Sequence, residues 1–235
     1  MRVSLLQRFF DLVAPRTCCV CGRRLAAEED TICLCCNLRL PRTNYVDSPR
    51  DNEMAKCFWG RVEHLQKAVA IFFHDGGSQV SYPIYRLKYF HQPDLGWALG
   101  RLMGQELEGS GFFDDIDIIV PVPLSPDRRR ERGYNQSELI AQGMADVCHK
   151  PVAPGVVARE NFVGSQTKKD RWERNQGVKD AFKVVNADKI SNCHVLIVDD
   201  IVTTGATITA CANSMEQVEG VKISVASIAF VSPGI

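Results

Sequence analysis

The chain lacks a surplus of either charge: among its 235 residues, 28 lysines and arginines face 28 aspartates and glutamates. A net charge of zero argues against a generic polyanion-binding protein and leaves only a local basic patch open. No stretch approaches the roughly 18 apolar residues of a membrane-spanning helix, so no membrane insertion is expected. Ser4 to Val13 is apolar but interrupted by Arg8 and Asp11 and followed by Pro15 and Arg16. It has neither the continuous core nor the small-residue cleavage site of a secretory signal, and a cytoplasmic location is expected. There is no G-x-x-x-x-G-K-S/T, which disfavours P-loop nucleotide hydrolysis, and no G-x-G-x-x-G following a strand. The five histidines, His64, His74, His91, His149 and His194, show neither metal-ligand nor triad spacing and receive no role. Internal repeats and low-complexity tracts are also missing.

Cysteine, by contrast, is plentiful. Ten are present, and Cys18, Cys19, Cys21, Cys33, Cys35 and Cys36 crowd into one short stretch. A secreted disulfide scaffold spreads its cysteines through a small, loop-rich chain, whereas this clustering suits a metal site in a reducing compartment. Cys18-x-x-Cys21 and Cys33-x-x-Cys36 each let two thiolates face one ion. Four thiolates satisfy tetrahedral Zn²⁺ and leave no open position, which makes a structural site. Cys19 and Cys35 are spare, and pairings that use either stay open at this point. A redox C-x-x-C lacks the strand–helix surroundings it needs. Arg16, Arg23, Arg24, Arg39 and Arg42 around the cysteines suit nucleic acid, while Glu28, Glu29 and Asp30 dilute that argument. The expected organisation is a zinc-binding module over 1–45, a turn-rich linker or strap over 46–64, and a larger domain over 65–235.

In the larger part, apolar runs alternate with helical periodicity. Ala68 to Phe73, Ile116 to Val122, Val184-Val185, Val195 to Val198 and Ile223 to Val231 read as strands. Gln79 to Tyr89, Leu95 to Glu108, Ser137 to Cys148 and Ala206 to Gln217 read as helices, the third opened by Asn135 with Glu138 in a capping-box-like start. Strands separated by helices predict an α/β fold, a parallel sheet with helices on both faces.

The most informative stretch is His194 to Thr207, HVLIVDDIVTTGAT. A buried strand delivers Asp199 and Asp200 to its carboxyl end, where ligands bind in open α/β sheets. Thr203, Thr204, Gly205, Ala206 and Thr207 then form a turn into a helix. Its N–H groups, hydroxyls and helix N-terminus can wrap a phosphate monoester, and Gly205 permits the positive φ such a turn needs. Carboxylates repel phosphate but accept hydrogen bonds from sugar hydroxyls. Acids for a diol beside a loop for a phosphate describe a ribose-5-phosphate site.

This stretch resembles the phosphoribosyl-pyrophosphate (PRPP) binding motif of type I phosphoribosyltransferases. IVPVPLSPDRRRERGYNQ at 119–136 and QTKKDRWERNQGVKDAF at 166–182, with the N-terminal cysteines, narrow the resemblance to the ComF competence-protein family over nearly the whole chain. Gly177 and Asp180 depart from that family's common Asn and Gly. The resemblance implies a type I phosphoribosyltransferase-like sheet preceded by a zinc module. It implies Asp199 and Asp200 as catalytic, ribose-contacting residues, and Thr203 to Thr207 as the holders of the 5-phosphate. Pyrophosphate, travelling with Mg²⁺, needs cations. Arg128, Arg129, Arg130 and Arg132 offer them, as do Lys168, Lys169, Arg171 and Arg174 in a stretch that resembles the family's closing lid; Arg130, Arg132, Lys168 and Arg171 are the named candidates. Lys88 in YRLKYF resembles a family position, and equally suits a lysine snorkelling from an amphipathic helix. The implied activity is phosphoribosyl transfer to an unidentified nitrogenous acceptor, with single-stranded DNA or a DNA-uptake protein as partner. The alternative is a non-catalytic PRPP- or nucleotide-sensing adaptor.

Overall fold

The computed structural model describes residues 15–74, 79–159 and 182–232. Two short helices, α1 (Leu34–Arg39) and α2 (Glu53–Lys56), precede the sheet. Four parallel strands follow in the spatial order β1-β6-β5-β2, comprising β1 (Leu65–Phe73), β2 (Ile118–Pro121), β5 (His194–Val202) and β6 (Lys222–Phe230). β5 and β6 are interior strands covered on both faces, which is why VLIV and ISVASIAF carry no polar alternation. Pairing of β2 with β5 stops at Pro121 opposite Val198, so Asp199 and Asp200 run on beyond the end of β2.

The helices of this part are α3 (Ser81–Tyr89), α4 (Pro93–Leu107), α5 (Pro126–Arg132), α6 (Gln136–Cys148) and α7 (Ala206–Met215). α4 crosses α6 at backbone contact. Gly96, Gly100 and Gly104 recur every fourth residue on α4, and a Cβ on Gly100 would lie 2.0 Å from the Ile140 carbonyl oxygen. Arg128 to Arg132 had no helical pattern of their own but form α5. Ser125 caps it by accepting from the Arg128 N–H, and Gly133 ends it at φ +78°. Asn135 opens α6 by accepting from the Ser137 N–H, and its amide donates to the Val122 carbonyl. Glu138 reaches Arg129 rather than returning to the cap. The expected strand at 184–185 is β4 (Phe182–Val184), which pairs antiparallel with β3 (Val157–Arg159) outside the main sheet. Three-residue strands are too short for a period to show.

The segment 46–64 is packed. Met54, Ala55 and Phe58 are fully buried, and Asn52 caps α2 while its amide donates to Ser48 and Ala68 carbonyls. Cys18, Cys33 and Cys36 belong to the same continuous apolar core as the sheet. Arg42 fastens this end to α4 through both carboxylate oxygens of Glu106, at 2.6 and 3.2 Å.

At the amino ends of the strands, His194 gains a structural role its spacing did not suggest. Its Nε2 lies 2.8 Å from Ser224 Oγ, its Nδ1 3.6 Å from Asp115 Oδ2, and Lys67 Nζ donates to Asp115 Oδ1 at 2.5 Å. Ser, His and Asp in that order suggest a hydrolase triad. Ser224, however, is fully buried and the Nδ1 distance is too long for a hydrogen bond, so the network serves to tie the strand ends together. Burial lowers the His194 pKa against the pull of Asp115.

Candidate functional site

The site is built at the carboxyl end of β5. Asp200 is buried and Asp199 half-buried. The Ser137 hydroxyl, at the start of α6, donates to Asp199 Oδ1 at 2.9 Å, and the Asp200 N–H donates to the same oxygen at 2.9 Å. Lys88, at the end of α3, places Nζ 2.9 Å from Asp200 Oδ2. The Lys88 head is thus drawn to the carboxylates rather than laid out into water. That approach lacks hydrogen-bond angles, and Oδ2 has no hydrogen-bond partner among the described residues. The Lys88 charge offsets part of the cost of burying this acceptor, and a ligand hydroxyl would supply the hydrogen bond it lacks.

Burial, and secondly the Asp200 charge, push the Asp199 carboxyl up to about 7. A carboxyl raised above its unfolded value contributes stability that is fully present below that unfolded value, near 3.8, and is lost as pH rises through about 7. Asp199→Asn keeps the acceptor for Ser137 and cannot ionise. The variant is expected to be more stable than the parent by a few kcal/mol at pH 8, with the gain shrinking to nothing towards pH 4. Urea titrations across that range check this; a gain that grows on acidification would reverse the sign.

The phosphate-loop candidates follow directly. Thr203 and Thr204 are exposed, Gly205 is buried at φ +72° as the N-cap of α7, and Ala206 and Thr207 form that helix's first turn. With their neighbours they line a hollow of about 40 Å³. Three residue steps, or about 10 Å of extended chain, separate Asp200 from Thr203. Beneath the loop, a Cβ on Gly205 would lie 2.8 Å from the buried Phe58 ring. Beside it, Arg61 donates to the Thr204 carbonyl at 2.9 Å.

The basic candidates divide. Arg132 donates to Gln136 Oε1 at 2.8 Å and covers the Tyr89 ring, next in sequence to Lys88. Arg130 pairs with Asp127 on the outer side of α5, its side chain 77% exposed. Lys168, Lys169, Arg171 and Arg174, with Gly177 and Asp180, lie outside the described residues. Arg159, unnoticed in the sequence, stands over the Phe182 ring. Burial first, and then the Arg128 charge, lower its pKa, while Asp199 pulls the other way. A guanidinium whose charge acts on Asp199 could not be foreseen, because β3 carries no motif.

In the N-terminal module, the sulfurs of Cys18, Cys21, Cys33 and Cys36 all lie within 4.8 Å of one another, a set that can hold one ion. Backbone N–H groups of Cys33 and Cys36 donate to the sulfurs of Cys18 and Cys33. Burial opposes ionisation of Cys18, but donation from the backbones of Cys33, Cys21 and Val20 outweighs it and brings the thiol down to about 7. Cys19 is buried apart from this set, its thiol pushed up to about 12 by burial, and Cys35 is exposed. Of the pairings left open by the spacing, the turns bring together Cys18, Cys21, Cys33 and Cys36.

No family model matches the chain. "DNA utilization protein YhgH" of Escherichia coli (strain K12) is 28% identical over 212 residues, covering 86% of this chain and 91% of that protein. "Competence protein F" of Haemophilus influenzae is 27% identical over 150 residues, 62% of this chain and 66% of the relative. "Competence protein ComFC" of Bacillus subtilis (strain 168) is 29% identical over 120 residues, 51% and 46% of the two chains. These proteins are homologues of this chain. Among solved structures, an adenine phosphoribosyltransferase overlaps 60% of this chain and 73% of its own, at 19% identity and a TM-score of 0.40.

Beyond the residues that the sequence singles out, the structure adds Ser137, Arg159, Phe58 and Arg61. Ser137 lies inside a cap signature and Arg61 inside the strap, so neither carries a signal of its own in the sequence. Among the described residues no helix is long and apolar enough to cross a membrane.

Proposed function

We propose that the chain binds PRPP at the carboxyl end of β5 and acts as a ComF-type phosphoribosyltransferase, in the setting of competence and DNA utilization that its homologues' names give. The observation that carries this reading is the junction of the Asp199–Asp200 pair with a glycine-hinged loop opening α7. One element takes a vicinal diol and the next takes the phosphate on the same sugar.

In this reading Oδ2 of Asp200, ion-paired with Lys88 but without a hydrogen bond, accepts from a ribose hydroxyl and Ser137 keeps Asp199 oriented. Loop N–H groups and threonine hydroxyls hold the 5-phosphate. Lys88 and Arg132 frame the pyrophosphate, with Arg130 further out on α5. A nitrogen of the acceptor forms the bond to ribose C1 as the C1–oxygen bond breaks and pyrophosphate departs. Catalysis comes mainly from positioning and from stabilising separated charge. The carboxylate oxygens of Asp199 and Asp200 are hard donors that would hold Mg²⁺, which would supply charge neutralisation at the pyrophosphate. Cys18, Cys21, Cys33 and Cys36 hold a structural zinc.

The test is calorimetric titration with PRPP and Mg²⁺, alongside pyrophosphate release with a panel of nitrogenous bases. Asp199→Asn/Asp200→Asn is expected to weaken PRPP binding at least about tenfold, through lost charge-assisted hydrogen bonds to the diol, and to abolish turnover. Binding without turnover for any acceptor would favour the PRPP-sensing adaptor. No binding by the parent chain would overturn both readings. Metal analysis of the same preparation, purified in reductant, is expected to return one zinc per chain.

A further inference from the structure

We propose that Arg61 is a positioning residue for the phosphate loop, supplied from the strap that precedes the sheet; the inference rests on the PRPP reading above. Thr203 to Thr207 contain no cation, so the loop must hold a phosphate with N–H groups and hydroxyls alone. Each peptide that offers an N–H also carries a carbonyl, and a carbonyl turned towards an anion repels it. Arg61 removes that conflict at the centre of the loop. Its Nη1 donates to the Thr204 carbonyl at 2.9 Å and to the Cys57 carbonyl at 2.9 Å, bridging the strap and the loop.

A trans peptide is planar, with its C=O and N–H pointing in opposite directions. Holding the Thr204 oxygen on Arg61 therefore turns the Gly205 N–H away from the guanidinium and towards the side left for ligand. Phe58 packs against the same peptide from below, since its ring lies 2.8 Å from where a Cβ of Gly205 would be. No carboxylate forms an ion pair with Arg61 among the described residues, so its charge adds to the field at the loop instead of being cancelled. The strap thus acts as both floor and tether of the phosphate site.

The test compares the full chain with Arg61→Gln and Arg61→Lys, using ribose 5-phosphate and, separately, pyrophosphate with Mg²⁺ as probes. Arg61→Gln is expected to weaken ribose 5-phosphate by about tenfold, the size of one exposed charge-assisted hydrogen bond. Pyrophosphate affinity should stay within about twofold, and Arg61→Lys should recover part of the loss. Hydrogen exchange at the amides of Gly205 to Thr207 should speed up in Arg61→Gln without ligand. A purely structural role would weaken both probes alike and lower the melting temperature, and that result overturns the proposal. Unchanged ribose 5-phosphate affinity in Arg61→Gln overturns it too. A parent chain that binds neither PRPP nor ribose 5-phosphate defeats the PRPP reading itself. The exchange comparison then stands alone, and unchanged exchange shows that Arg61 does not order the loop.

Discussion

Gly100→Ala is expected to cost roughly 3 kcal/mol of stability, more than a single added methyl usually does, because the obstruction is backbone. The new Cβ would lie 2.0 Å from the Ile140 carbonyl oxygen and 2.8 Å from the carbonyl carbon. Side-chain rotation cannot relieve such a contact, so α4 and α6 must separate. Separation opens the buried layer formed by Leu99, Met103, Ile140 and Met144. Alanine's helix propensity returns only about 1 kcal/mol. The contact is reciprocal: a Cβ on Gly143 would lie 2.0 Å from the Trp97 carbonyl oxygen. Gly143→Ala should therefore cost a similar amount and the double variant clearly less than the sum, since one separation makes room for both methyls. Urea unfolding checks this through the midpoint at constant slope. Stability equal to the parent would show that the helices do not meet at this distance. Because α6 begins at the residues that hold Asp199, the separation should also loosen the site.

Gly205→Ala is expected to reduce ribose 5-phosphate affinity on the order of a hundredfold, about the worth of two charge-assisted hydrogen bonds from the loop N–H groups. Two physical effects add. Alanine at φ +72° is strained, and its Cβ would meet the buried Phe58 ring at 2.8 Å. Together they should cost about 2 kcal/mol of stability and push the loop off its floor. The two separate experimentally. Phe58→Leu in the Gly205→Ala background should restore part of the stability by relieving the contact, but not the affinity, because the φ penalty still distorts the loop. Recovery of both would place the whole effect in the ring contact. Unchanged affinity in Gly205→Ala would mean that this loop does not bind the phosphate.

The parallel sheet and the glycine-hinged turn into α7 were legible because they are local. VLIV, the acid pair and the T-T-G-A-T turn are contiguous in the sequence. Chain stereochemistry alone puts carboxylates at a strand end and a positive φ at Gly205. The C-x-x-C pairs likewise gave the four-cysteine cluster, although setting Cys19 and Cys35 outside it required the turns, which bring only the other four sulfurs within 4.8 Å of one another.

Contacts between residues distant in sequence were not legible. Lys88 meets Asp200 across 112 positions, Ser137 meets Asp199 across 62, and Arg61 meets Thr204 across 143. No period or spacing encodes such pairs, since each depends on where separate helices come to rest on the sheet. The sequence by itself determined that an acid pair, a glycine-hinged loop and a four-cysteine cluster exist. Tertiary packing alone decided which cation faces the acids, what lies under the loop, and how closely two glycine-bearing helices approach, because those are properties of surfaces that meet only after the sheet has formed.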